Sequence, residues 1–152
     1  MRIGLIDVDG TNFPNIALMK LSAYHRLKGD SVEWYYPFGE RYDMVYMSKV
    51  FSFTPDYEYC INADVVVKGG TGYCISLENG KEVFDFTQDV WLKPIVEHIY
   101  PDYSLYNITD TAYGFLTRGC PRGCKFCIVG KKEGKTSYKA ADLKEFWNGQ
   151  KI

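Results

Sequence analysis

Short apolar runs and one helical pattern alternate along the first half of the chain. Residues 2–8 form an apolar run that ends in Asp-Val-Asp-Gly, which predicts a buried strand followed by a turn. Apolar residues then recur at helical spacing between Ile16 and Leu27, with Pro14 suited to the first turn and Gly29 to the helix end. Three further strands are predicted at residues 31–36, 44–47 and 64–68, and the last leads into a flexible Gly-Gly-Thr-Gly loop at residues 69–72.

This order of elements predicts an α/β fold. A strand, a helix and further strands form an open, mainly parallel sheet flanked by helices. Ligands of such sheets bind beyond the carboxyl ends of the strands. The turn at residues 7–12 and the loop at residues 69–72 are therefore expected at the ligand-binding edge.

The second half of the chain has a weaker pattern. Its strongest feature is a strand that leads into a loop rich in glycine, proline and cysteine at residues 117–130. The predicted elements are a short helix at 90–100, a linker at 100–106, the strand at 111–118, an exposed basic turn at 130–137 and a short helix at 140–147.

Composition narrows the class of protein. The chain has 152 residues and a formal charge of −1, so it carries no global basic field that would attract nucleic acid. The apolar run at the N-terminus is too short and too acidic for a signal peptide, and no later stretch could span a bilayer. We therefore expect a cytoplasmic protein with no membrane partner. In a reducing compartment, clustered cysteines indicate a metal-binding or catalytic site rather than disulfides.

Three of the five cysteines, Cys120, Cys124 and Cys127, lie in that loop with the spacing C-x3-C-x2-C. A structural zinc ion takes four ligands, and a fourth could come only from distant Cys60, Cys74 or His98. A 4Fe–4S cluster normally takes four thiolates, so one held by three would leave an iron open to another ligand. Zinc and an iron–sulfur cluster both remain open at this point.

The sequence Cys120-x3-Cys124-x-Phe126-Cys127 resembles the cluster motif of the radical S-adenosylmethionine superfamily, C-x3-C-x-aromatic-C. The resemblance implies that the three cysteines bind three irons of a 4Fe–4S cluster and that Phe126 lies near the adenosine. It also implies that the fourth iron chelates the amino and carboxylate groups of S-adenosylmethionine. In that family the reduced cluster cleaves this cofactor to methionine and a 5′-deoxyadenosyl radical, which abstracts hydrogen from a substrate.

Residues 1–105 resemble the cobalamin-binding (flavodoxin-like) domain that precedes the cluster in many enzymes of that superfamily. That domain often carries D-x-H-x-x-G, in which the histidine ligates cobalt. Aligned on Asp9, this chain has Thr11 in place of the histidine and Pro14 in place of the glycine. The resemblance therefore implies the fold without its cobalt ligand, and cobalamin is not expected to bind through a protein histidine.

Residues 106–152 correspond by this resemblance to the first strand, cluster loop and first helix of an incomplete β/α barrel. A complete barrel takes roughly 200 residues or more, and the chain ends soon after the cluster loop. We expect a truncated form of a longer enzyme that is inactive by itself. Its substrate is not indicated, and the unfinished barrel is expected to favour self-association through exposed apolar edges.

The sequence D-x-D-G-T at residues 7–11 supports a second interpretation, because it resembles the motif of haloacid-dehalogenase-like phosphatases. Asp7 would then be the nucleophile and Asp9 the general acid, with Thr71 as the later hydroxyl. Asp85 and Asp89 lie in a turn-like region and form no clear acidic pair for Mg²⁺. The simplest interpretation is that Asp9-Gly10 is a turn and Asp7 caps the following segment. Phosphohydrolase and zinc-binding module stay as alternatives.

Overall fold

The computed structural model describes residues 1–10 and 13–151, and its fold is α/β with a four-stranded parallel sheet flanked by helices. The strands lie in the order β2-β1-β3-β4, and all neighbours are parallel. From β1 the chain adds β2 on one side of the sheet and then β3 and β4 on the other side. The order of connection therefore reverses between β1 and β3, which defines a topological switch point. The strands are β1 (Arg2–Asp7), β2 (Ser31–Trp34), β3 (Tyr42–Ser48) and β4 (Ala63–Gly69).

Helix α1 (Ile16–Leu27) connects β1 to β2 and begins two residues later than the sequence suggests. Pro14 does not open the helix, because the Asn15 side chain caps it by accepting a hydrogen bond from the Leu18 backbone N–H at 3.2 Å. Asparagine at this position satisfies one of the unpaired donors of the first turn. The predicted end is confirmed, since Gly29 follows the helix with φ of 81°.

The smaller elements lie after β4. Helix α2 (Thr71–Cys74) leads into a hairpin of β5 (Ile75–Glu78) and β6 (Lys81–Phe84), which turns at Asn79-Gly80 with positive φ at both residues. Asn-Gly is a strong signal for such a turn, and it could have been read from the sequence. The remaining elements are α3 (Pro94–Glu97), β7 (Thr117–Arg118), α4 (Val129–Lys132) and β8 (Tyr138–Lys139).

The predicted linker at 100–106 is wrong. Residues Tyr103–Tyr106 form a 3-10 helix that packs on the core. The Tyr103 hydroxyl donates to the Phe146 carbonyl oxygen at 2.5 Å and accepts from the Tyr113 backbone N–H at 3.1 Å. This segment is ordered by tertiary contacts that its local sequence does not reveal.

The strand and helix predicted near the C-terminus are both shorter than expected. Within residues 111–118, strand pairing is limited to β7 and to an isolated bridge between Thr111 and Lys151. The predicted helix at 140–147 is a single 3-10 turn, Leu143–Glu145, and the Glu145 side chain accepts from the Asp142 backbone N–H at 2.8 Å.

One hydrophobic cluster joins the sheet, α1 and residues on both sides of position 105. A second, smaller cluster fills the opposite side of the sheet around Tyr42 and Val45. The buried members of the first cluster are Ile3, Leu5, Leu18, Met19, Leu21, Val96, Tyr103, Leu105, Ala112 and Phe146.

None of the helices formed by residues 1–10 and 13–151 has the length and apolar character needed to cross a membrane.

Candidate functional site

The cysteine loop is closed at its base by strand pairing and by one carboxylate. Strands β7 and β8 pair antiparallel on either side of the loop. The Glu133 carboxylate accepts from the Arg118 guanidinium at 3.1 Å through one oxygen and from the Gly119 backbone N–H at 3.1 Å through the other. The Cys120 backbone N–H donates to the Gly134 carbonyl oxygen at 3.2 Å. The two ends of the loop are therefore fixed to each other. No local pattern in the sequence indicates this role of Glu133.

Two glycines shape the loop in different ways. Gly119 has φ of 78°, and a β-carbon there would overlap the carbonyl oxygen of Thr136. Gly123 has φ of 61°, but a β-carbon there would meet no atom within 4 Å. Gly119 is therefore required both by its conformation and by close backbone packing, whereas Gly123 is required only by its conformation.

The three cysteines of the loop are free thiols with different exposure. Cys120 and Cys127 are half-buried, Cys124 is exposed, and none of the three is in a disulfide. The Cys127 backbone N–H donates to the Cys124 carbonyl oxygen at 3.1 Å, which makes a turn between these ligand candidates. Phe126 points into solvent, with 89% of its surface exposed.

These thiols are not gathered around one point. Among residues 1–10 and 13–151, no three His, Cys, Asp or Glu side chains are grouped so that they could hold a metal ion. The other candidates for a fourth zinc ligand are separate, because Cys60 is exposed, Cys74 is buried and His98 contacts Glu145 through Nδ1 at 2.7 Å. The donor types fit an iron–sulfur cluster, and binding one would require the three thiols to move together.

Lys132, at the end of α4, links the cysteine loop to residues 74–91, which follow β4. Its ammonium group pairs with the Asp89 carboxylate and donates to the Cys74 sulfur at 3.3 Å. It also lies 5.6 Å from the centroid of the Trp91 ring. The side chains of Lys132 and Asp89 are only 13% and 10% exposed. The prediction of an exposed basic turn is wrong for Lys132, because its charge has a tertiary partner.

Replacing Lys132 by methionine is expected to lower the free energy of unfolding by about 1–3 kcal/mol, because the Asp89 carboxylate loses its cation while largely buried. Denaturant unfolding followed by circular dichroism measures the loss. The neighbouring Lys131 is exposed and serves as the matched control. Equal effects of Lys131→Met and Lys132→Met would contradict an anchoring role for the ion pair.

The two acidic residues at the carboxyl end of β1, Asp7 and Asp9, are held by structural hydrogen bonds. The Asp9 carboxylate accepts from the backbone N–H groups of Val50 at 2.6 Å and Phe51 at 3.2 Å, and from the Thr54 hydroxyl at 2.7 Å. It thereby orders the loop after β3. The Asp7 carboxylate accepts from the Tyr106 hydroxyl at 2.7 Å.

Burial raises the pKa of the Asp7 carboxyl, and the hydrogen bonds from Tyr106 and from two backbone N–H groups only partly offset this effect. Burial therefore penalises the charged form of this carboxyl relative to an exposed aspartate.

Asp85 caps a turn through the Thr87 N–H at 2.9 Å, and Asp89 pairs with Lys132. Neither is placed as a spare ligand for Mg²⁺. Thr11, which completes the phosphatase-like motif and replaces the cobalt-ligating histidine, lies outside the described residues.

An Asp7→Asn variant tests the raised pKa through the pH dependence of stability. The folded protein holds the Asp7 proton more tightly than the unfolded chain does. Wild-type stability is therefore lost as pH rises from the ordinary value of 3.8 through the raised pKa. Asparagine cannot ionise, so the variant is expected to gain stability relative to wild type across this window. Denaturant unfolding at several pH values measures the difference.

Asp85→Asn is the control of opposite sign. Hydrogen bonds from the Thr87 hydroxyl and backbone N–H lower the pKa of Asp85, so its stabilisation is present above 3.8 and is lost as pH falls. The Asp85→Asn variant should therefore lose stability relative to wild type as pH rises. A flat difference for Asp7→Asn would contradict the assigned environment of Asp7.

The Gly-Gly-Thr-Gly loop, which the sequence predicts to be flexible, is held by backbone hydrogen bonds to Lys49. Lys49, which follows β3, donates its backbone N–H to the Gly69 carbonyl at 3.0 Å and accepts from the Gly72 N–H at 2.8 Å. Gly70 has φ of 101°, and a β-carbon there would overlap the Lys49 carbonyl oxygen. These glycines allow the segments after β3 and β4 to approach each other closely.

The sheet edge and the cysteine loop open onto one cavity of about 820 Å³. Asp7 and Asp9 line it from the end of β1, and Arg118, Lys132 and Glu133 line it from the base of the cysteine loop. The other walls come from α1, β3, β4 and the segment that contains Trp91. A molecule in this cavity could therefore touch Asp7, Asp9 and the base of the cysteine loop, whereas Cys120, Cys124 and Cys127 do not line it.

Comparisons of the chain with protein-family models, curated proteins and solved structures find no match.

Proposed function

We propose that Cys120, Cys124 and Cys127 hold a 4Fe–4S cluster of the radical S-adenosylmethionine type. The observation that carries this proposal is the combination of three free thiols at C-x3-C-x2-C spacing with a loop whose ends are fixed by Glu133 and by the β7–β8 pair. Three thiolates leave one iron for a second ligand, which on this proposal is S-adenosylmethionine. When bound and reduced, the cluster would supply the electron that cleaves this cofactor to a 5′-deoxyadenosyl radical.

The chain's own residues would bind and position this group. Phe126 lies on the solvent side of the loop, where its exposed ring is free to cover the adenosine of the cofactor. Glu133 would keep Arg118 and Gly119 in place at the loop base. On this proposal residues 106–152 belong to the β/α barrel of such an enzyme, and the substrate is left open.

The N-terminal region on this proposal has the cobalamin-binding-like fold without cobalt ligation by histidine. The parallel strand order β2-β1-β3-β4 is consistent with such a doubly wound fold. Both histidines are already engaged: His25 is buried with its Nδ1 2.7 Å from Asp30 and its Nε2 3.0 Å from the Tyr46 hydroxyl, and His98 contacts Glu145. A reducing, cytoplasmic location would keep the thiols ready for a cluster.

Anaerobic reconstitution with iron and sulfide tests the proposal. Wild type is expected to take up about four irons and four sulfides per chain, as a cubane requires, and the Cys120/Cys124/Cys127→Ala variant is expected to take up none specifically. Cys60→Ala is the matched control, because Cys60 is an exposed free thiol outside the loop. The spectrum of the reduced cluster by electron paramagnetic resonance should change when S-adenosylmethionine is added.

Three outcomes would contradict the proposal. Iron uptake that does not depend on the loop cysteines would mean non-specific binding. Stoichiometric zinc uptake in place of iron would favour a zinc-binding module. A cluster whose spectrum is unchanged by S-adenosylmethionine would leave a cluster-binding loop without the open iron.

A further inference from the structure

Strand β4 forms one edge of the main sheet and carries exposed apolar side chains. Within residues 1–10 and 13–151 it pairs with β3 on one side, and no strand pairs with its other side. Val65 and Val66 are 45% and 40% exposed. Edge strands that are apolar and free of proline readily pair with another strand. β4 is therefore an exposed pairing surface, and its sequence indicates which strand it accepts.

The charges of β4 are self-complementary about Val66. When two copies of β4 lie antiparallel with Val66 opposite Val66, Asp64 of each copy faces Lys68 of the other. Val65 then faces Val67, so the rest of the pair is apolar and β-branched. Opposite charges and β-branched residues directly across an antiparallel ladder stabilise it.

Other alignments of two copies lose this complementarity. A parallel, in-register pair places Asp64 against Asp64 and Lys68 against Lys68, and like charges directly opposite are destabilising. An antiparallel pair shifted by two residues places each charge against an uncharged residue or outside the pair. The two-fold arrangement about Val66 is also closed, because each copy uses its β4 edge once and the other edge strand, β2, takes no part.

Asp64 and Lys68 remain accessible for such contacts. Asp64 pairs with Arg41 at 2.6 Å and Lys68 pairs with Asp56 at 2.6 Å, but the side chains of Asp64 and Lys68 are 56% and 48% exposed. A carboxylate accepts several hydrogen bonds and an ammonium group donates three. Each can therefore add a partner from a second copy without losing the first.

We propose that β4 pairs antiparallel with β4 of a second copy of this chain, centred on Val66, so that one sheet runs through a two-fold dimer. This proposal is independent of the cysteine loop and of any cluster. The occupant of the edge is the same strand of another copy, recognised by the Asp64–Lys68 pairing.

Reciprocal charge reversal tests the register. Sedimentation equilibrium over a wide concentration range should show a monomer–dimer equilibrium for wild type. Asp64→Lys alone and Lys68→Asp alone should each weaken dimerisation at least about tenfold, because both symmetry-related pairs become repulsive. The double variant Asp64→Lys/Lys68→Asp should recover most of the wild-type affinity.

The double variant separates this proposal from effects within one copy. Each single variant loses one of the two ion pairs with Arg41 and Asp56, and the double variant loses both. A cause within one copy therefore predicts that the double variant dimerises least. Val66→Lys, which places two ammonium groups at the two-fold axis, should abolish the dimer, whereas the β-branched Val66→Thr should retain it. Circular dichroism checks that each variant folds.

Two results would overturn the proposal. A monomer at every concentration would show that the edge does not pair. A dimer that none of these substitutions weakens would place the interface elsewhere, such as on the apolar edges of residues 106–152.

Discussion

Replacing Phe146 by alanine is expected to lower the free energy of unfolding of the whole chain by about 3–5 kcal/mol, the usual cost of deleting a buried phenylalanine side chain. The ring is 5% exposed and packs in the cluster that contains Leu5 of β1 and Leu18 of α1. Close packing around it leaves little room for collapse, since a β-carbon on Gly114 would overlap the ring.

The form of the unfolding curve carries as much information as its midpoint. Because Phe146 shares a core with the main sheet, Phe146→Ala should shift a single cooperative transition rather than melt the C-terminal segment alone. Denaturant unfolding followed by circular dichroism and by amide hydrogen exchange in β1 measures this. Phe126→Ala is the control, because the Phe126 ring is 89% exposed and its loss should change stability by no more than about 0.5 kcal/mol. Unchanged exchange in β1 for Phe146→Ala would contradict the shared core.

Gly119→Ala is expected to destabilise the base of the cysteine loop by about 2–5 kcal/mol. A β-carbon at φ of 78° costs about 1–2 kcal/mol, and its overlap with the Thr136 carbonyl forces a backbone shift that costs about 1–3 kcal/mol more. The shift also disturbs the hydrogen bond that the Gly119 N–H donates to the Glu133 carboxylate. Amide exchange at Arg118 and Tyr138, which are partners in the β7–β8 ladder, should accelerate accordingly.

Gly123→Ala is the matched control for Gly119→Ala. It places the same β-carbon at a positive φ in the same loop but meets no neighbouring atom, so only the conformational cost of about 1–2 kcal/mol remains. On the proposed function, iron uptake should fall further in Gly119→Ala than in Gly123→Ala. Equal iron uptake and equal exchange in the two variants would show that closure of the loop base is unimportant.

The sequence was most informative where local and tertiary preferences agree. The apolar and β-branched runs predict β1 to β4 within a few residues, and the signal has its clearest physical basis in the central strands β1 and β3, because a strand buried in a parallel sheet needs such a run. The spacing of Cys120, Cys124 and Cys127 predicts one loop that contains all three thiols. The predicted α/β class is confirmed, whereas the cluster and its chemistry stay predictions.

Where the sequence failed, the deciding contact came from far along the chain. The predicted turn at Asp9-Gly10 is consistent with the bend at residues 8–9, but the sequence does not reveal that the Asp9 carboxylate orders a loop more than 40 residues away through Val50 and Phe51. The sequence predicts an exposed Lys132, but its partner Asp89 precedes it by 43 residues. Periodicity and spacing report neighbours along one element, so they carry no signal for such pairs. The Asn79-Gly80 hairpin is different, because the Asn-Gly dipeptide is itself a local signal for its turn.

The closed base of the cysteine loop has a consequence for the entropy of ligand capture. An unrestrained loop must give up the freedom of its ends before its side chains can converge on one object. Here Glu133 and the β7–β8 ladder have already brought the ends together during folding. Only the segment from Cys120 to Cys127 has to rearrange to bring the three thiols together. On the proposed function, folding of the sheet and its core therefore meets part of the cost of binding in advance, and the affinity of the three thiols for a cluster would be coupled to the stability of the whole chain.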